Sequence, residues 1–154
     1  MDYTMFIDGV PGGLTLAHAN GEHAVEDLQY SFRGPTHTPN THSGITGRPV
    51  VEYFAVVMPT SKAMAMLIGK LFTSKHIPTV RITLWTLFNG QTVKAETYTL
   101  TEVSIHSFAK GPTKGEESGG NRTMSFNMRQ LKVESFAPDG AATNSMTYDF
   151  VTAK

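Results

Sequence analysis

Cysteine is absent from this 154-residue chain, which removes disulfide frameworks, thiolate metal sites and cysteine redox chemistry together. The sequence therefore fits folding in a reducing compartment. Charge of either sign is scarce: 13 Lys and Arg face 13 Asp and Glu, 17% of the residues, for a formal net charge of zero. Without a basic excess nothing global draws the chain to a nucleic-acid backbone or an anionic membrane surface, so no nucleic-acid partner is expected. Long apolar runs are missing too. The best candidate is interrupted by Lys62, Gly69 and Lys70 and falls short of the roughly 18 to 20 residues of a membrane helix, so no membrane insertion is expected. The opening Met1-Asp2-Tyr3-Thr4-Met5-Phe6-Ile7-Asp8 has no export-type apolar core, and the chain is expected to start in the cytoplasm.

What is present is the material of one domain, residues 1–154, able to bury one core. A surface poor in charge and rich in Thr, Ser, Asn and Gly suits a protein that packs against other copies of itself. Residues 5–7 predict a short strand closed by a turn at Gly9, Pro11, Gly12 and Gly13. Residues 24–32 predict a second, with Leu28, Tyr30 and Phe32 on one face. Residues 34–47, rich in Pro, Gly, Thr and Ser, predict a long projecting loop, the first place to seek contacts with a neighbour. Residues 49–58 are almost continuously apolar and predict a strand buried on both faces for much of its length. Thr60 or Ser61 then offers a cap for a helix running to Phe72 or Ser74, with Met64, Leu67, Ile68 and Leu71 on its packed face.

Asn89-Gly90 between two alternating runs, 79–88 and 91–100, is the sharpest local signal, because this dipeptide adopts the positive backbone angles of a tight hairpin. A bend or bulge near Leu100 is expected to lead into a third run, 101–108. The glycine-rich stretch 110–121, with Glu116-Glu117, reads as a loop. Alternation resumes over 122–136 and again at Met146, Tyr148 and Phe150. About eight strands and one helix predict a mainly β fold, a closed or nearly closed barrel with the helix packed outside.

Catalytic patterns are missing. His18 with His23, and His37 with His42, are spaced by five, whereas helical metal ligands sit three or four apart, so no metal or other cofactor is expected. His76 and His106 lack a neighbouring partner for a triad. Glu116 and Glu117 adjoin each other in a solvated loop that would not split their pKa values. Gly9-Val10-Pro11-Gly12-Gly13 lacks the lysine and helix of a phosphate loop. Asn121-Arg122-Thr123 matches a glycosylation sequon and implies only a polar, exposed stretch. Trp85 and Tyr98 could stack bases, but no basic stripe accompanies them. No enzyme is expected.

Several short motifs do carry a resemblance. Lys75-His76-Ile77-Pro78 with Val80-Arg81-Ile82, the strand Tyr98-Thr99-Leu100-Thr101-Glu102-Val103-Ser104-Ile105, the run Met124-Ser125-Phe126-Asn127 through Lys132-Val133, and the terminal Tyr148-Asp149-Phe150 together resemble the Hcp, or haemolysin-coregulated, tube proteins of type VI secretion. At the N-terminal side Phe6-Ile7-Asp8-Gly9 and the helix start Pro59-Thr60-Ser61-Lys62-Ala63-Met64 differ from the family's usual sequences, as a divergent member would.

The resemblance implies six copies in a ring, rings stacked into a tube, and secretion inside a contracting sheath with a VgrG spike and effector proteins as partners. It makes the long loop an inter-ring contact through Arg33, Thr36, His37, Asn40, His42 and Arg48. It makes the mixed strand faces carrying Arg81, Thr83, Lys94, Glu96 and Tyr98 a lumen lining. The alternatives from the residues alone are a small-ligand-binding β-barrel, suggested by apolar strand faces and a Met-rich composition, and a barrel enzyme, for which no convergent acid-base pair is visible.

Overall fold

A 20-residue strand runs through the middle of the computed structural model, which describes residues 2–37, 45–111 and 120–154. In chain order the elements are β1 (Asp2–Ile7), β2 (His23–Val25), β3 (Asp27–Arg33), β4 (Thr36–His37), β5 (Ile45–Thr46), β6 (Val50–Pro59), α1 (Met64–Thr73), β7 (Ile77–Phe88), β8 (Gln91–Lys110), β9 (Asn121–Phe136) and β10 (Ala142–Asp149). Eight strands form one antiparallel sheet in the order β2-β1-β7-β8-β9-β6-β3, with β10 also paired to β9, while β4 and β5 make a separate two-stranded ribbon. The expected mainly β, nearly closed barrel with one helix is what forms.

Closure depends on residue 26. The predicted strand 24–32 is instead two strands, because the Glu26 amide donates to the Val57 carbonyl at 2.7 Å and the chain changes partner there. On one side His23, Ala24 and Val25 pair with β1; on the other Asp27 to Arg33 pair with β6. One short stretch thus ties the two ends of the sheet together, which leaves fewer open edges.

The core is built from alternating positions of five strands plus the helix: Met5 and Ile7, Phe54, Val56 and Met58, Val80 and Ile82, Leu100, Val103 and Ile105, Met124 and Phe126, with Leu67. In β6 the two-faced burial holds only from Phe54 to Met58; Val50, Glu52 and Tyr53 are exposed. The helix places Leu67 fully inside with Met64 and Leu71 half-buried against the core. Burying one such leucine contributes about 1.5–3 kcal/mol.

The helix begins two to three residues later than its hydroxyls suggest. Ala63 occupies the cap position with no side-chain cap bond, and Ser61 Oγ accepts the Ala63 amide at 3.2 Å from just outside. It ends on Ser74 in the left-handed region, φ 52, whose amide reaches the Leu71 carbonyl while the Lys75 amide reaches Lys70. This is the geometry that closes a helix when the chain must reverse.

Asn89 and Gly90 take φ 51 and 77, as a tight hairpin requires. The expected bend near Leu100 lies two residues on, at Glu102 with φ 50. There β8 deforms without breaking, so the third run is the second half of the same strand.

Candidate functional site

The hairpin β7–β8 decides where the predicted lining residues go. Thr83 pairs with Thr97 and Ile82 with Tyr98, and a bulge between Leu84 and Trp85 then brings Lys94, not Ala95, opposite Trp85. Directly paired residues share a face, and a bulge inverts the alternation beyond it. Arg81, Thr83 and Lys94 therefore lie on one face, while Glu96 and Tyr98 lie on the other with Ile82 and Leu100. The five are not brought together. Thr83 and Tyr98 are buried within the subunit, Arg81 and Glu96 are half-buried, and Lys94 is exposed.

Tyr98 closes an aromatic cluster. Its ring meets Phe54 edge-on and lies 5.6 Å from Tyr30, which stacks in turn on Phe32 at 4.6 Å. Its hydroxyl donates to Glu96 Oε2 at 2.7 Å, so the 3.2 Å contact with Tyr30 is a bond donated by Tyr30. Burial, then the bonds with Tyr30 and Glu96, push the Tyr98 phenol far above its ordinary value. It is a fixed hydrogen-bonding strut, with no capacity to exchange a proton near neutrality.

The opposite face carries a second polar network under the strap formed by residues 11–22. The Trp85 indole donates to Thr4, Thr4 donates to Glu22, and Arg81 lies 4.0 Å from Glu22 and over the Phe6 ring. His18 meets the Trp85 ring edge-on at 4.7 Å. His23, next to Glu22, is 2% exposed and bonds the Val10 carbonyl through Nε2 at 2.8 Å. Burial lowers its pKa below the ordinary histidine value, against smaller opposing effects of Val10 and Glu22. None of these side chains was singled out as a unit by spacing, since they are joined by sheet register over as many as 81 positions.

Among the strand edges left unpaired in the described residues are that of β3 beyond β6 and that of β10 beyond β9. Their flanks are apolar: Tyr30 and Phe32 on β3 and Met146 on β10 are each at least 40% exposed. Between them the sheet forks. The first part of β9, Asn121 to Ser125, pairs with β6 and the later part, Gln130 to Phe136, with β10. The fork holds a cleft of about 370 Å³ lined by Phe32, Val50, Val51, Leu131, Met146 and Phe150. Next to these strands Arg129 lies 3.3 Å from Asp149 and 3.5 Å from Glu102. The Thr152 amide, aided by Val151 and Arg129, holds the Asp149 carboxyl below the usual carboxylate range.

Of the predicted loop contacts, Arg33 and Arg48 are exposed and flank the β4–β5 ribbon. Thr36 and His37 belong to that ribbon, pairing with Thr46 and Ile45. Asn40 and His42, and likewise Glu116 and Glu117, lie outside the described residues. His76 and His106 are exposed, His106 beside Asn127 at 3.3 Å. Among the described residues no cluster of three metal-ligating side chains occurs and no helix is long and apolar enough to cross a membrane.

Comparison with solved structures places this architecture. A structure described as a type six secretion system protein superposes with a TM-score of 0.85 at 19% identity, covering 99% of this chain and 98% of the other. Hcp1 from Salmonella typhimurium gives 0.78 at 18% identity over 100% and 99%, and a type VI secretion system effector from Yersinia pestis gives 0.77 at 18% over 96% and 99%. At these identities the likeness establishes the fold. Comparison with curated protein sequences found no match. The model of the family "Type VI secretion system effector, Hcp" matches residues 4–154, and with that match the chain belongs to the Hcp family, the tube proteins of type VI secretion.

Proposed function

We propose that six copies of this subunit join head to tail into a ring, and that rings stack into a conduit expelled by the type VI system. The observation that carries the reading is the pair of unlike free edges on β3 and β10, each flanked by exposed apolar side chains. A head-to-tail contact needs two different complementary patches on one subunit, and edge strands supply them by continuing the sheet into the next copy. The apolar cleft at the fork adjoins both edges, which favours a protein partner there over the ligand-binding barrel considered from sequence.

The 154 residues act as one unit in this reading, with no catalytic role. The loop rooted on the β4–β5 ribbon, with Arg33, Thr36, His37, Asn40, His42 and Arg48, is the axial contact. Arg81 and Lys94 remain the lumen candidates, since they share a face with Lys132 and Glu134, which are 3.6 Å apart. Thr83 and Tyr98 serve the interior of the subunit. The sheath, the VgrG spike and effector proteins are the partners this assembly needs, and the subunit passes from cytoplasm to exterior with them.

Mass in solution by light scattering with negative-stain microscopy tests the reading. A species of six subunits with a central hole is expected. A strict monomer at high concentration, with no rings under conditions of tube assembly, would overturn it.

A further inference from the structure

Residues 10–22 close on themselves as a strap at the β2 end of the sheet. The Gly12 amide donates to the Gly21 carbonyl at 2.9 Å, the Gly21 amide to Leu14 at 2.8 Å and the Leu14 amide to Glu22 at 3.1 Å. The two arms lie so close that a Cβ on Gly12 would collide with the Glu22 carbonyl. β2 continues the strap and holds the sheet through three pairs, Tyr3 with Val25, Thr4 with Ala24 and Met5 with His23. An edge element this short opens at lower free energy than the long strands β7, β8 and β9.

His23 sits at the joint between strap and strand, 2% exposed. The Val10 carbonyl 2.8 Å from its Nε2 can only accept, so Nε2 carries the ring hydrogen and Nδ1 is a bare lone pair. That Nδ1 is buried and has no hydrogen-bond partner among the described residues. As a neutral ring His23 forgoes one bond; with a second proton it would bury a charge and an unpaired donor together.

The surroundings offer such a cation little. β1 places Met5 opposite it, and β6 with the segment before α1 brings Met58, Pro59, Thr60 and Ser61, none of them charged. The strap brings Glu22, whose carboxylate is held by Thr4 and lies 4.0 Å from Arg81 of β7. Thr4 alternates with Met5 and so faces away from the His23 side of β1. Asp8 and Glu26, just past the ends of β1 and β2, are exposed, and His18 stands against Trp85.

We propose that the strap and β2 form an acid-released latch: His23 accepts a second proton, at Nδ1, only when residues 10–25 lift from the barrel, which frees Glu22 from Thr4 and uncovers Trp85 and the outer edge of β1. Burial lowers the pKa of the closed ring below that of the open, solvated one, against smaller opposing effects of Val10 and Glu22. The latch therefore holds in full above about pH 6.5 and weakens as pH falls toward the closed-state value, by up to about tenfold per unit. It lies within one subunit and is independent of ring formation.

The test is hydrogen exchange of the full chain by NMR from pH 7.5 to 5, expressed as protection factors so that the intrinsic pH dependence of exchange cancels. Acrylamide quenching of Trp85, the sole tryptophan, accompanies it. Protection of the Gly12, Leu14 and Gly21 amides should fall by up to about tenfold per unit below pH 6.5, with Trp85 becoming quenchable, while the amides of β8 and β9 keep their protection. His23→Gln, which keeps a donor for Val10 but cannot titrate, should remove this acid dependence, and His18→Gln should retain it. If the glutamine variant fails to fold, the His23 ring signals of the wild type carry the test, with a midpoint below 6.5 that tracks strap opening; a midpoint at or above 6.5 would overturn the latch. So would strap and barrel losing protection together, an acid response that survives in His23→Gln, or one abolished in His18→Gln.

Discussion

The Trp85 indole donates to the Thr4 hydroxyl at 2.8 Å, and Thr4 passes its own hydrogen to Glu22 at 2.9 Å. Three elements distant in sequence meet in this relay, and Thr4 is its only two-way member. Thr4→Val keeps the volume but strands the buried indole hydrogen, which should lower unfolding free energy by about 1–3 kcal/mol. Urea unfolding followed by Trp85 fluorescence checks this; an unchanged midpoint would mean that the indole finds another acceptor.

Histidine 23 gives the fold a pH dependence of known sign. Its folded pKa lies below its unfolded value of about 6.5 because burial penalises the charged ring. The stabilisation is therefore full above about pH 6.5 and is lost as pH falls toward the folded value, by up to about 1.4 kcal/mol per unit. Unfolding measured from pH 7.5 to 5 should show a steeper decline in the wild type than in His23→Gln. Parallel slopes would assign the decline to other groups.

At the fork, Met146 is 48% exposed beside Phe32 and Val50. Met146→Glu should place a charge where a neighbouring strand is proposed to dock and shift the mass from six subunits to one, with the circular dichroism of the barrel retained. A ring that survives the change would move the interface away from β10.

Deleting residues 36–44 removes one arm of the β4–β5 ribbon and no residue of the main sheet. Barrel and ring should persist while rings no longer stack, as microscopy of concentrated samples would show. Intact tubes would remove this loop from the axial contact.

Gly90 at φ 77 closes the β7–β8 hairpin. Gly90→Val should cost about 1–2 kcal/mol through the steric penalty of a β-branched residue in that region. Thermal unfolding reads the loss directly, and an equally stable variant would show that the turn relaxes.

Local chemistry made much of this architecture legible. Asn89-Gly90 announces its turn because few dipeptides accept those backbone angles, and Leu67 announces its face because a helix repeats every 3.6 residues. Alternation points to a bend near Leu100, whereas it lies at Glu102, since φ at a bulge answers to the pairing on both sides of β8. The capping hydroxyls marked the helix start to within one turn, yet Ser61 ended outside the helix.

The candidate surfaces were much less legible. Alternation alone grouped Thr83 with Tyr98, but hairpin register and the bulge before Trp85 put them on opposite faces. Residues 24–32 read as one strand because nothing in their order reveals that the Glu26 amide will bond Val57. His23 looked like one of a loose pair with His18, whereas the strap buries it.

By itself the sequence determined a cysteine-free, mainly β chain with one helix, a defined hairpin and the motifs of a tube-protein family, because turn angles, period and capping are set by neighbouring residues. Only the tertiary structure decided which edges stay unpaired, which faces are wet and where His23 lies. Those follow from register and closure, in which hydrogen bonds between residues tens of positions apart select one pairing that no local pattern encodes.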